Sequence, residues 1–143
     1  MVVTRDTALV AGLAALERDQ AVIAYHEALA VEAGHRAEVG GLEDRLRVAL
    51  LAEGTDGARR ASRADAAWLR WIATRRARVD RDLALSVARR MESLAETRRA
   101  FARASAAHDL HETASREARR HRDAREEATL QALALLALGR TDP

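Results

Sequence analysis

Advancing 100° per residue along the second half of the chain places Trp68, Ile72, Val79, Leu83, Val87, Leu94 and Phe101 on one stripe about 100° wide. That is the pattern of a helix burying one face. The stretch opens on "SRAD", which has the spacing of a capping box, and meets no breaker until Gly139, so the spacing predicts a helix over 63–138. At about 1.5 Å per residue it would run roughly 110 Å. Helices of that length without internal caps belong to coiled coils.

The first half reads as a helix over about 5–53, with Thr4 to Thr7 available to cap it and Gly54 placed to end it. Leu9, Leu13, Leu16 and Ile23 share one stripe, and Val39, Leu42, Leu46 and Leu50 share another that is rotated from it. Gly40-Gly41 is the weak point, since each glycine costs up to about 1 kcal/mol relative to alanine, and a kink there is the alternative to a continuous helix. Between the halves lies "GTDGARRAS", the only dense cluster of turn residues. Pro occurs only at Pro143 and no β-branched run alternates, so strands have no support.

The expected fold is all-α: two long helices in an antiparallel coiled-coil hairpin, the second longer than the first, forming a single domain over 1–143. The bend falls over about 54–62. A loop centred there pairs positions whose numbers sum to about 116. Leu46 then lies near Leu69, Leu29 near Val87, Tyr25 near Met91 and Leu16 near Phe101. About 27 residues at the end of the second helix, roughly 40 Å, are left with no first helix beside them. Leu130, Leu133, Leu135, Leu136 and Leu138 crowd that end and face nearly every direction. Such a segment should dock on something.

Composition changes the picture in two ways. All 24 basic residues are arginine, against 22 acids, for a net charge of +2, and they come in blocks. Residues 1–58 hold 5 arginines and 10 acids, whereas residues 59–103 hold 13 arginines and 5 acids. The hairpin lays one block along the other, answering the asymmetry within the molecule. There is no cysteine, which excludes disulfides and thiolate zinc sites and fits a reducing compartment. The opening "MVVTRDTALVAGLAALERD" meets acid and base too early for a secretory core, and no apolar run approaches the ~20 residues of a membrane span. A soluble, cytoplasmic protein without membrane insertion is expected.

Candidate chemistry is sparse. "HDLHE" sets His108 and His111 three apart beside Glu112, but H-E-x-x-H is not completed and no third ligand is fixed, so no metal is expected. The glycines of the turn lack the G-K-[ST] of a phosphate loop. No nucleophile has a base and an oxyanion hole, so the chain is read as non-enzymatic, with no catalytic residue and no cofactor. Arginine pairs at Arg59/Arg60, Arg75/Arg76, Arg89/Arg90, Arg98/Arg99 and Arg119/Arg120 raise the rival of an Arg-rich nucleic-acid binder. They are spread around the helix with few aromatics to stack on bases, so nucleic acid is not the expected partner. A self-associating structural coiled coil is the other alternative. Trp71 lies roughly 100° off the stripe, with Arg75 one turn further on, which suits a partner anchor.

The whole chain resembles the small coiled-coil stalk family of type III export systems, FliJ of the flagellum and YscO of the injectisome. The features that carry this are the size, a long first helix, a polar turn, a longer helix opening "WLRWIATRRARVDRDL" and closing "REARRHRDAREEATLQALALL". The resemblance implies a rod similar to the coiled coil of the rotary ATP synthase γ subunit. It implies a protein peripheral to the export apparatus, whose terminal end engages a hexameric export ATPase. It also implies contact with the cytoplasmic part of the membrane export-gate protein, and escort of secretion chaperones. The opening positions Trp68, Trp71 and Ile72 match the gate contact, with Arg75 beside them, and Ala128 to Leu138 match the ATPase end. The chain departs from the family in its alanine and arginine content and in Gly40-Gly41.

Overall fold

The computed structural model describes residues 2–53 and 63–138. They form α1, Val2–Glu53, and α2, Arg63–Leu138, of 52 and 76 residues, so the fold is all-α with the second helix longer. The expected bend, the capping residue Ser62 and the C-terminal glycines Gly54 and Gly139 lie outside the described residues. Helix α1 begins before the threonines expected to cap it. Thr7 instead sits inside the helix, its hydroxyl donating to the Thr4 carbonyl at 3.1 Å. It also runs unbroken through Gly40-Gly41, where the neighbouring Leu42 is only 4% exposed and seam burial outweighs the glycine penalty.

Two compact units are built from these helices: residues 20–98, and residues 1–19 with 99–143. In the first, the Thr97 hydroxyl donates to the Ala21 carbonyl at 3.0 Å and Arg76 pairs with Glu43 at 2.6 Å, so α2 runs antiparallel to α1. In the second, Thr7 Oγ1 lies 3.1 Å from His111 Nδ1 and Arg103 lies 3.6 Å from Glu17, again antiparallel. The pairing is displaced about two residues from the expected register, in which Thr7 would meet residue 109 and Ala21 residue 95.

The buried face of α2 advances in strict steps of four and three residues. In the 20–98 unit it passes through Ile72, Arg76, Val79, Leu83, Ser86, Arg90, Ser93 and Thr97. In the other it passes through Ala100, Ala104, Ala107, His111, Ala114 and Ala118. That is a 3.5-residue heptad, not a 3.6-residue stripe. The two diverge by about 20° per heptad, so over the four heptads from Ile72 to Ala100 an expected stripe rotates by about 80°. Ala100 is therefore 1% exposed while its neighbour Phe101 is half exposed. Trp68 also falls outside the seam, and Leu83, Val87 and Leu94 are half-buried.

On α1 the heptad selects Tyr25, Glu32, His35, Val39, Leu42 and Leu46 in the 20–98 unit, and Thr4, Thr7, Ala11, Ala14 and Arg18 in the other. Leu9, Leu13, Leu16 and Ile23, expected on the buried face, point out at 61%, 62%, 61% and 58% exposure, and Leu50 is also exposed. Charge pairing explains the choice. Glu32, 1% exposed, receives Arg90 at 2.5 Å and Arg36 at 2.5 Å; this is affordable only because the carboxylate is doubly paired. Within the 20–98 unit, rotating α1 to bury Ile23 and Leu50 would break that site.

Candidate functional site

At its start, α2 carries Trp68, Trp71, Ile72 and Arg75 over little more than two turns. Heptad phase turns Ile72 inward to 3% exposure, so it supports the surface and does not contribute to it. Trp71 presents half of its surface to solvent, and Trp68 about a third. Arg75 Nε donates to Glu38 Oε1 at 2.9 Å and its Nη2 reaches the same oxygen, which ties the guanidinium to α1.

Beside Trp71 lies an open groove of about 410 Å³, lined by Ala37, Glu38, Gly41, Leu42, Arg45 and Arg75 as well as the indole. Nothing lies within 4 Å of where a Cβ on Gly41 would stand, so the missing side chain leaves the groove open on the α1 side. The α1 half of this surface is not legible from the α2 motif. The signal was the Gly40-Gly41 pair, read as a weak point in a helix when it is also a gap in its surface.

The terminal cluster belongs to the other unit. Because His111 already faces Thr7, α2 soon passes the first described residue of α1, and every residue from 121 to 138 is exposed. Leu130, Leu133, Leu135, Leu136 and Leu138 range from 57% to 71% exposure. A run of leucines in water is a strong driver of docking, at about 25 cal/mol per Å² of apolar surface removed from solvent.

Arginines of the basic block meet acids of the acidic block at Arg75–Glu38, Arg76–Glu43 and Arg90–Glu32 in one unit and Arg103–Glu17 in the other. The hydrogen bond and charge of Glu32 hold the Arg90 guanidinium above its ordinary value, with Tyr25 acting in the same direction. His108 and His111 diverge: His108 lies 3.6 Å from Glu112, whereas His111 turns to Thr7. Among the described residues no group of three His, Asp or Glu side chains is placed to hold a metal, and no helix is long and apolar enough to cross a membrane. No family model, curated protein or solved structure matches the chain.

Proposed function

We propose that this protein is a non-enzymatic stalk of a type III export apparatus, cytoplasmic and peripheral to the membrane. Its terminal leucines engage a hexameric export ATPase. Trp68, Trp71 and Arg75 engage the cytoplasmic part of the export-gate protein, with secretion chaperones as further cargo. The observation that carries the reading is the leucine-rich end of α2, exposed on every side beyond the last α1 residue that faces it. Among the described residues no helix covers it, and an apolar ring of another assembly would. Pairing of the arginine block with acids of α1 favours a protein partner over nucleic acid, because it removes charge that phosphates would otherwise neutralise.

The test uses the full chain, a reconstituted export ATPase ring and the cytoplasmic domain of the gate protein. Deleting residues 128–138 abolishes ATPase stimulation and spares gate binding. Trp71→Ala weakens gate binding by roughly 30-fold, the effect of losing an anchor of about 2 kcal/mol, and spares stimulation. If both lesions damage one interaction, or if neither partner binds, the reading fails. Tight binding to duplex DNA or RNA that falls steeply with salt would replace it with the nucleic-acid reading.

A further inference from the structure

The groove beside Trp71 lies wholly within the 20–98 unit, and its charges do not balance. Glu38, Arg45 and Arg75 are the ionised residues that line it. Glu38 is already engaged by Arg75, whose Nε donates to its Oε1 at 2.9 Å. Arg45, exposed on the α1 wall, has no ion pair or hydrogen bond among the described residues. Arg78 repeats this on the α2 wall. It stands one heptad beyond Trp71 on the same side of the helix, exposed and likewise unpaired among the described residues. Neighbouring acids do not answer these two arginines: Asp44 pairs with Arg47 and Asp80 with Arg76, and Asp82, a turn past Arg78, does not line the groove.

Between the cations the surface is apolar. Leu42, 4% exposed, lies at its base, and Trp71 presents half of its surface to solvent. Ala37 and Gly41 keep the α1 wall low, and an added Cβ at Gly41 would meet nothing within 4 Å. A valley between two antiparallel helices with one low wall has the shape that takes a third helix, apolar face down.

We propose that this groove takes an acidic amphipathic helix of the partner protein, its apolar side chains on Trp71 and Leu42 and its carboxylates on Arg45 and Arg78. Charge complementarity selects the sign. A basic helix would meet two uncompensated guanidiniums, and a neutral one would cover them without pairing them. Phosphates of a nucleic acid would satisfy the same arginines but leave the apolar base and the indole without a partner. The proposal rests on the reading of this end as the gate contact, and adds the chemistry of the gate segment that enters.

Binding to the full chain is measured for the cytoplasmic domain of the gate protein and for three synthetic amphipathic helices of about twenty residues with one leucine face. The three carry glutamate, glutamine or lysine on their flanks. At about 50 mM salt the glutamate helix binds roughly 10-fold tighter than the glutamine helix and displaces the gate domain, the lysine helix does not bind, and the advantage shrinks at about 500 mM. Arg45→Gln and Arg78→Gln each weaken the glutamate helix and the gate domain by roughly 5-fold, and Arg45→Lys retains most of the binding. Helical circular dichroism stays unchanged in these variants, because both side chains are exposed and unpaired among the described residues. A gate domain that needs Trp71 but binds the double arginine variant as well as the wild type overturns this proposal and leaves the gate reading standing. A glutamate helix that binds with the stated arginine dependence beside a gate domain that does not bind sinks the gate reading and leaves the groove as an acidic-helix site. Glutamate and glutamine helices that bind alike overturn the proposal, as does duplex DNA that binds through Arg45 and Arg78 more tightly than the glutamate helix. If neither helix nor gate domain binds, both readings fall.

Discussion

Replacing Val79 and Val48 separately by alanine sets one chemistry in two environments within the 20–98 unit. Val79 lies on the seam at 2% exposure, and Val48 faces outward at 67%. Each change removes about two methylene equivalents, worth roughly 0.8 kcal/mol apiece when buried. At Val79 the full ~1.6 kcal/mol is lost, and an unfilled cavity adds up to about 1 kcal/mol more. The better helix propensity of alanine returns about 0.6 kcal/mol, leaving a net cost of about 2 kcal/mol. At Val48 only about a third of the transfer term applies, roughly 0.5 kcal/mol, and the propensity gain cancels it. Urea unfolding followed by helical circular dichroism, at a protein concentration low enough to exclude association, reads both. Val79→Ala shifts the midpoint clearly downward and Val48→Ala leaves it within error. Equal shifts would mean that the heptad seam does not hold the helices together.

Arg90→Met strands Glu32 with only Arg36, and destabilises the chain more than Arg75→Met does at the exposed Glu38 pair; the combined Glu32→Leu, Arg90→Leu variant recovers most of the loss in the same unfolding assay. Gly40→Ala raises the thermal midpoint, by a gain of about 0.5–1 kcal/mol, because an added Cβ meets nothing within 4 Å and the helix is continuous there; a drop would show that the glycine is needed for a bend. Cysteines at Ala21 and Thr97, whose parent residues share a 3.0 Å hydrogen bond, close within one chain on mild oxidation, and cross-links found only between chains would refute the antiparallel pairing.

The helices and the pairing of α1 with α2 are legible in the sequence, because a 76-residue stretch without a breaker and a single turn cluster leave few alternatives. The buried face is only half legible. Ile72, Val79 and Leu42 carry it where large apolar residues coincide with the heptad. Toward Ala100 and Ala104 the seam is made of methyl groups, and periodicity weighted by side-chain size follows Phe101 and the leucines of α1 instead. In the 20–98 unit the face is set by charge pairs centred on Glu32, and these are visible only once α2 is placed. At the candidate site the sequence marks Trp71 but not the opening that Gly41 leaves on the α1 side of the groove, since a missing side chain contributes nothing to a hydrophobic pattern.

The buried Glu32 has a mechanical consequence. In the 20–98 unit, an axial load that slides α1 along α2 by one heptad carries its carboxylate from Arg90 to Leu83 or to Thr97. Neither carries a charge, so the first slipped position is a high-energy stop and not a neighbouring minimum. The small serine steps of the same seam, Ser86 and Ser93, offer little resistance to such sliding. With the Arg75–Glu38 and Arg76–Glu43 pairs of the same unit, this buried pair acts as a detent that lets the 20–98 unit bear shear between its helices without losing register.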